Sequence, residues 1–479
     1  MTVFNETTDT FTETTDTQRT VVLTPHPLQR VGAFSLAKLV DVDHPDQLKP
    51  EEFDKAILVM TQHLLSTASV EDSKEPGGFW LGASYLLWPN SSGLNTTNRK
   101  KLSPPQRREL MTRWRTLPDG ASWPGVPCSL CGRPACGYYG KVDVPLGAST
   151  AYRNTTPPDH AGLALCFACL NSLYALPYGC QLGGGRAAAL HSWDEKFLRR
   201  FVSIQVRRTL QAAELGTGTT KPLPYWRETT ALRHLRSYPH RLTAGVQLIV
   251  FSNSNKEQVL DDHAMDQPLA EWLRSTAHDR QRDFGYKYLV RAHCTKDIPG
   301  SALLARLAFH NPRQVLTRAV NFLRRVSAES SAVPGEVPHL VPLCFSYAIE
   351  VLQVNDKDIG RIRQLAEHIA EALAPRRERG VLKAYEHAHR EPATLQKWLR
   401  TYAVHWALLP PDGRTEPFVT SEQWRLLFDS DGRSWLHRDL LFIAVLEQLN
   451  QLGWRADDVK SRDELDDLIT DNLTAEENQ

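Results

Sequence analysis

Four cysteines in the 479-residue sequence form two closely spaced pairs. Cys128 and Cys131 make the first CxxC motif, and Cys166 and Cys169 make the second. Two residues between paired cysteines let the backbone turn so that both sulfurs face one ion, and Zn²⁺ prefers four such ligands in a tetrahedron. Gly132 follows the first pair, at a position where a positive φ is easiest without a Cβ atom. The spacing therefore predicts one structural Zn²⁺ ion bound by four thiolates.

Other chemistries explain the two motifs less well. A thioredoxin-like redox site uses one CxxC at the start of a helix, so the second pair would have no role. A catalytic zinc needs an open position for water, and four cysteines close the coordination sphere. Cys136 and Cys180 are further candidate ligands. We rank them behind the two pairs because isolated cysteines are more often small core residues.

The sequence contains no motif that predicts catalysis. The glycines at 183–185, followed by Arg186, lack the Lys-Ser/Thr of a phosphate-binding loop and the frame of a dinucleotide site, so they predict a turn. HExxH and GxSxG motifs do not occur, and the histidines are scattered. We therefore expect no catalytic residue, and a binding or scaffold protein rather than an enzyme.

Hydrophobic periodicity predicts helices on both sides of the cysteine region. Helical spacing is found at 48–66 and 193–215, and Ser103 followed by two prolines is typical of a helix start at 103–117. The β-branched run at 243–255 predicts a strand, with Phe284–Val290 as its proposed partner strand. From Leu303 onwards the pattern is mostly helical.

These elements predict an α+β fold in which a mixed N-terminal domain carries an inserted four-cysteine zinc knuckle and precedes a C-terminal helical bundle. The expected divisions follow from shifts in composition and periodicity. They are a disordered acidic, Thr-rich tail at 1–20, an α+β domain at 21–330 with the zinc-binding region at 120–190, a helical bundle at 340–454, and an acidic tail at 455–479.

Composition and charge limit the class of protein. Hydrophobic residues make up 41% of the chain and charged residues 23%, and no run approaches the roughly 18 apolar residues of a membrane span. The start of the chain lacks the features of a signal peptide, so we expect a cytoplasmic protein without membrane contact. The net charge of +1 combines acidic ends with a basic body. This distribution is compatible with a nucleic-acid partner and equally with chance surface charge.

Three segments, in their order along the chain, resemble the large subunit of type I-B CRISPR effector complexes (Cascade). They are HPLQRVGAFSLAKL (26–39), LLWPNSSGLN (86–95), and the CxxC region from CSLCGRPA to LCFACLNSLYALPYG (128–179). The sequence FSNSN (251–255) matches the strand end that follows in the family pattern. The resemblance covers about residues 25–255 by motif and the remainder by order and length. The sequence departs from the pattern at Trp88, where the family has Phe, and in its acidic start.

The resemblance implies a non-catalytic subunit that reads the protospacer-adjacent motif on duplex DNA and aids unwinding and R-loop formation. Guide pairing reads the remaining sequence, so a few base contacts and many phosphate contacts are sufficient. The implied partners are the backbone, crRNA 5′-end and small subunits that carry CRISPR RNA, the target double-stranded DNA, and a downstream helicase-nuclease or transposition machinery.

Polar loops beside basic residues are the expected DNA contacts, because Asn bonds to base edges while Lys and Arg neutralise phosphates. The candidate residues are Asn90, Ser91, Asn95, Arg99, Lys100 and Lys101, together with Asn253 and Asn255. An ordinary surface turn is the alternative interpretation of the segment at 89–95.

Two other functions are compatible with the sequence. A zinc-ribbon protein–protein adaptor would use the same cysteines without contacting nucleic acid. An RNA-modifying enzyme with a zinc knuckle would need an acid–base constellation that the sequence does not show.

Overall fold

The computed structural model describes residues 16–91, 93–147, 162–215, 223–253, 258–329, 332–376, 378–408, 416–429 and 432–455. Its internal contacts divide the chain into two compact units. The first unit comprises the described residues of Met1–His234 and Leu242–Gln267, and the second those of Leu235–Arg241 and Pro268–Gln479. The domain boundary predicted at 330–340 falls inside the second unit.

The fold is α+β, as predicted, and the strands lie in the first unit. Strands β1 (Gly137–Tyr139) and β2 (Leu163–Leu165) pair antiparallel. Strands β3 (Gln181–Gly183), β4 (Arg186–Ser192), β5 (Val246–Asn253) and β6 (Gln258–Met265) form an antiparallel sheet in that order. The helices are α1 (Pro27–Leu39), α2 (Pro50–Ser66), α3 (Phe79–Leu87), α4 (Thr96–Arg99), α5 (Pro104–Arg115), α6 (Phe167–Tyr174), α7 (Leu176–Gly179), α8 (Glu195–Leu215) and α9 (Trp226–Arg236).

Helix α1 is the centre of the first unit. All ten residues from Leu28 to Ala37 are buried, and the helix packs against α2, α6, α7, α8 and strand β4. A helix covered on every side needs small residues where its neighbours approach closely. Gly32 supplies that position, because a Cβ atom there would lie 1.7 Å from the carbonyl oxygen of Ser172 in α6.

The predicted strand at 243–255 is confirmed as β5, which lies between β4 and β6. The predicted partner strand at Phe284–Val290 is wrong, because this segment belongs to helix α11 (Arg280–Ala292). Asp279 caps that helix by accepting from the backbone N–H of Arg282, and the buried side chains follow helical spacing. The alternation of large apolar residues in this segment suggested a strand. The local sequence does not show which of them become buried, and in the structure the buried positions have helical spacing.

The glycines at 183–185 form a turn, as the sequence predicts. Gly183 pairs with Arg186 across the hairpin, and Gly184 and Gly185 between them have φ values of +59° and +73°. Two consecutive residues with positive φ are typical of the two-residue turns that connect twisted strands. This conformation, rather than contact with a phosphate, accounts for the glycines.

The second unit is helical. Its helices are α10 (Gln267–Ser275), α11, α12 (Gly300–His310), α13 (Arg313–Glu329), α14 (Val337–Glu350), α15 (Asp356–Leu373), α16 (Arg379–His389), α17 (Pro392–Leu408), α18 (Ser421–Phe428) and α19 (Ser434–Gln451). Helix α19 is buried from Leu440 to Leu446 and packs against α13, α14, α15, α16 and α18. Helices α11 and α13 pack against α14, so the helices before residue 330 belong to this unit.

The predicted disordered tail at 1–20 includes residues at its C-terminal end that are ordered. Residues 16–20 are described, and the side chain of Gln18 is fully buried. Residues 1–15 and 456–479, which carry the rest of the two predicted tails, lie outside the described residues. Among the described helices, none has the length and apolar character that crossing a bilayer requires.

We expect Gly32→Ala to destabilise the protein by about 3 kcal/mol, because the added methyl group overlaps the Ser172 carbonyl. Gly82→Ala in α3 is the matched control. Its Cβ would meet only the Cβ of Ser73 at 3.6 Å, so the helix propensity of Ala should stabilise the protein by up to about 1 kcal/mol. Denaturant unfolding of both variants measures the difference, and equal stabilities would contradict the close approach of α1 and α6.

Candidate metal centre

The four predicted cysteines meet at one point in the first unit. Their sulfur atoms all lie within 4.8 Å of one another, and Sγ of Cys131 lies 3.5 Å from Sγ of Cys166. Four sulfurs at about 2.3 Å from one metal ion are about 3.8 Å apart in a tetrahedron. All four cysteines are free thiols. The cluster is therefore arranged to hold a metal ion.

The first pair is held by a tight turn. The backbone N–H of Gly132 donates to the carbonyl of Cys128 at 2.9 Å, and the N–H of Cys128 donates to the carbonyl of Arg133 at 2.6 Å. Gly132 has φ +77°, as the sequence predicts for this position. The N–H of Ser129 donates to the carbonyl of Ala164 at 2.8 Å, which ties the turn to strand β2.

The second pair lies at the start of helix α6. Cys166 is the N-cap of the helix, and its sulfur accepts from the backbone N–H of Cys169 at 3.4 Å. The positive end of the helix dipole stabilises negative charge on sulfur at this position. The N–H of Cys136 donates to the carbonyl of Leu165 at 2.9 Å, so the hairpin holds the two pairs side by side.

The four sulfurs influence one another's ionisation. Hydrogen bonds shared among the sulfurs lower the pKa of Cys128 below its usual value and raise the pKa of both Cys166 and Cys169 above theirs. The pKa of Cys131 is also lowered, to about 7, so the first pair carries negative charge more readily than the second, whereas a divalent metal ion would favour all four thiolates together. Cys128, Cys166 and Cys169 are buried and Cys131 is half-buried. A closed four-sulfur set of this kind is suited to holding structure.

The buried amide of Gln18 connects the two pairs. Its Nε2 donates to the carbonyl of Pro134 at 2.7 Å, just after the first turn, and its Oε1 accepts from the N–H of Phe167 at 2.7 Å, at the start of α6. Arg133 adds a donor to the carbonyl of Thr20 at 2.7 Å. Sequence reasoning missed Gln18, because the polar residues around it predicted a disordered tail and no local motif marks it.

The two other candidate cysteines lie outside the sulfur cluster. Sγ of Cys136 contacts the hydroxyl of Tyr139 at 3.2 Å, and burial raises the pKa of Cys136 to about 11. Cys180 is fully buried, and burial raises its pKa as well. Both behave as core thiols, in agreement with their lower rank in the sequence analysis.

Several candidate DNA contacts are structural residues. Arg99 is 2% exposed, and its guanidinium donates to the carbonyls of Thr67, at 2.8 Å, and Val70. These bonds stabilise the loop from its buried side. The guanidinium of Arg99 is therefore not exposed for the phosphate contact that the sequence predicts. Ser91 is buried as well. Burial of a guanidinium depends on tertiary packing, which the run Arg99-Lys100-Lys101 does not show.

The side chain of Asn95 also forms its hydrogen bonds within the loop. It is the N-cap of α4, where its Oδ1 accepts from the N–H groups of Thr97, at 3.0 Å, and Asn98, at 3.3 Å. Its Nδ2 lies 3.4 Å from the carbonyl oxygen of Pro89. A cap of this kind is typical of Asn before a short helix.

The remaining loop candidates differ in exposure. Asn90 is half-buried, whereas Lys100 and Lys101 are exposed. Asn255 lies outside the described residues. The surface available for DNA contact in this region is therefore smaller than the sequence predicts.

Asn253 is fully buried and uses all of its polar atoms within the protein. Its Nδ2 donates to the carbonyls of Leu87, at 2.7 Å, and Lys141, at 3.1 Å. Its Oδ1 accepts from Nε2 of Gln258, at 2.9 Å, and from the N–H of Leu146, at 3.3 Å. It therefore joins the end of β5 to the end of α3 and to the segment after β1, and it is unavailable to DNA.

Aromatic packing links the loop at 89–95 to the metal centre. Trp88, where the family pattern has Phe, is buried and lies edge-on to Tyr174 with ring centroids 5.8 Å apart. The guanidinium of Arg115 lies 3.7 Å from the ring centroid of Tyr174, and burial lowers the pKa of Arg115 to about 10. Tyr174 ends helix α6, which carries the second cysteine pair at its start.

Comparisons with protein-family models, with curated proteins and with solved structures find no match for this chain. The case for a function therefore depends on the residues and their arrangement.

We expect Gln18→Ala to destabilise the protein by about 2 kcal/mol, because it leaves a buried donor and a buried acceptor without partners. Metal affinity should fall by about tenfold or more, as for other residues that orient metal ligands. Gln18→Glu keeps the acceptor for Phe167 and is the comparison variant. Competition with a metal chelator measures the affinity, and an unchanged affinity in Gln18→Ala would contradict the linking role of this side chain.

Proposed function

We propose that this chain is the non-catalytic large subunit of an RNA-guided CRISPR surveillance complex similar to type I-B Cascade. In this role it binds the subunits that carry CRISPR RNA, reads a protospacer-adjacent motif on duplex DNA, and assists R-loop formation. The helicase-nuclease or transposition machinery acts downstream of it.

The proposal is carried by the meeting of the separated segments on which the resemblance is based. Helix α1, from the first segment, packs against α6 of the cysteine region. The loop at 89–95 is joined to α6 through Trp88 and Tyr174. The end of strand β5 is joined to α3 through the hydrogen bond from Asn253 to the carbonyl of Leu87. Segments far apart in sequence thus form one continuous core, which is expected when they belong to one family pattern.

Surface charge on helix α8 favours nucleic-acid binding over a protein adaptor. The buried face of this helix is mostly apolar, with Gln205 and Thr209 as its polar members, whereas its exposed face carries five basic side chains, one of which, Arg199, pairs with Asp43. The five are Lys196, Arg199, Arg200, Arg207 and Arg208. A row of exposed cations on one helix face is the electrostatic pattern of proteins that contact phosphates.

We also propose that the metal is Zn²⁺ in a structural role. Four thiolates in a tetrahedron suit zinc or an iron–sulfur centre, and two CxxC pairs that close on one ion are typical of structural zinc. Zinc would hold the turn at 128–131 against the start of α6, and it would supply no reaction.

Elemental analysis of the purified chain should find one zinc per molecule. Replacement of Cys128 and Cys166 by Ser together should abolish the zinc and lower the thermal stability strongly, because metal-binding free energy contributes directly to folding. Cys136→Ser, outside the cluster, is the control and should keep its zinc. A zinc-free wild-type protein, or iron in its place, would contradict the assignment.

The proposed assembly can be tested by purifying the tagged chain after co-expression with the proteins encoded beside its gene and a CRISPR array. Repeat-derived RNA should copurify with it. Copurifying proteins without any nucleic acid would support the adaptor and contradict the proposal.

The DNA role predicts distinct effects of two kinds of substitution in the assembled complex. Asn90→Ala should cost about 1–3 kcal/mol on the preferred adjacent motif and little on others. Lys100→Gln or Lys101→Gln should weaken binding to all duplexes alike and reduce the salt slope by about one unit. Lys55→Gln, exposed on α2, is the control. Unchanged motif preference in Asn90→Ala would exclude it as the base reader.

A further inference from the structure

An open groove in the second unit is lined by polar and cationic side chains. Its volume is about 500 Å³, and one wall is formed by helix α13. Gln314, Arg318, Asn321 and Arg325 contribute to that wall, and Cys294 and Thr295 lie on the other side. A recess of this size is in the range of sites that bind small molecules or short parts of a polymer.

The polar wall is a regular feature of helix α13. The four polar positions are separated by four, three and four residues, which places them on one helix face. The opposite face of the helix is buried and apolar. Its residues are Val315, Leu316, Ala319, Val320 and Leu323. At a rise of about 1.5 Å per residue, the polar row is about 16 Å long. Such a row is long enough to follow several phosphates of one strand, which are about 3.4 Å apart along stacked nucleic acid.

The two arginines of the groove lack carboxylate partners among the described residues, and the guanidinium of Arg325 lies 5.7 Å from the ring centroid of Phe322. Within the described part of the chain, neither Arg318 nor Arg325 forms an ion pair. Neighbouring arginines are paired: Arg324 binds Asp439 at 2.7 Å, and Arg291 binds Glu336 at 3.1 Å. The two guanidinium groups that line the groove thus differ from these neighbours in having no carboxylate partner that the structure describes.

We propose that this groove binds the phosphodiester backbone of a single nucleic-acid strand. Guanidinium groups form bidentate hydrogen bonds with phosphate oxygens, and the amides of Gln314 and Asn321 can bond to phosphate, sugar or base edges. The length of the polar row favours an extended strand over an isolated phosphate, and the narrow volume favours one strand over a duplex. The inference takes its class of ligand from the proposed function.

The thiol of Cys294 lines the groove and can report whether a ligand covers it. Cys294 is exposed, whereas the other seven cysteines are buried or half-buried. Alkylation of Cys294 by a maleimide in the full chain should slow at least fivefold when a saturating single-stranded oligonucleotide, DNA or RNA, is added. Inorganic phosphate or a nucleoside monophosphate at equal phosphate concentration should give no protection. The Cys294→Ser variant should lose the fast alkylation. This loss would show that the fast reaction occurs at Cys294.

Two results would overturn the proposal. An unchanged alkylation rate under a saturating oligonucleotide would place the strand elsewhere, and equal protection by phosphate would define a small-anion site. These measurements use wild-type protein, so they do not depend on whether a variant folds. They also use the chain alone. If CRISPR RNA copurifies but Cys294 stays unprotected, the groove assignment fails and the proposed function stands; the reverse outcome rejects the CRISPR assembly and keeps the groove.

Substitution of both arginines tests the contact directly. Arg318→Gln with Arg325→Gln should reduce the salt slope of oligonucleotide binding by about 1.4, or about 0.7 for each lost phosphate contact on a single strand. The matched control removes two exposed cations outside helix α13 and outside the groove lining, Lys357→Gln and Arg390→Gln. Equal slopes for the two double variants would contradict the proposal.

Discussion

Gathering four cysteine sulfurs within 4.8 Å is the constraint on which the first unit depends. Negative charges this close repel one another unless a cation lies between them, so the free energy of metal binding is also free energy of folding. The turn at 128–132, the hairpin of β1 and β2, and the N-cap at Cys166 each position one part of the sulfur set. None of these short elements buries enough apolar surface to be stable alone. A metal ion bound by the four sulfurs would stabilise their common arrangement.

Two buried amides extend this arrangement to the rest of the unit. Gln18 bonds to the carbonyl of Pro134 and the N–H of Phe167, each next to one cysteine pair, and Asn253 bonds to the end of α3 and to the segment after β1. A buried amide is costly unless its donors and acceptors are satisfied, so each network permits one arrangement of its segments. Helix α6 completes the connection, because it begins at the metal ligands and ends at Tyr174 beside Trp88. Trp88, directly before the segment that starts at Pro89, therefore packs in the same core as the four cysteines.

Features that depend on neighbouring residues were predictable, and those that depend on distant partners were not. The CxxC pairs, the glycine turn and the helix after Ser103 follow from local geometry, and the structure contains all three. Polarity was a poor guide to exposure: Arg99 and Asn253 are buried because carbonyl groups far along the chain accept their hydrogen bonds. The partners of Gln18 lie more than 110 residues away. The division between the units at residue 267 likewise depends on which helices pack together.

Hydrogen exchange before and after metal removal tests most directly whether the metal ion organises the first unit. The account predicts that peptides covering 127–139 and 163–174 lose protection when a chelator removes the metal, because their amide bonds join the turn, the hairpin and helix α6. Helices α15 and α19 of the second unit should keep their protection, since their cores contain none of the four ligands. Unchanged protection of 127–139 and 163–174 in the metal-free protein would contradict the account.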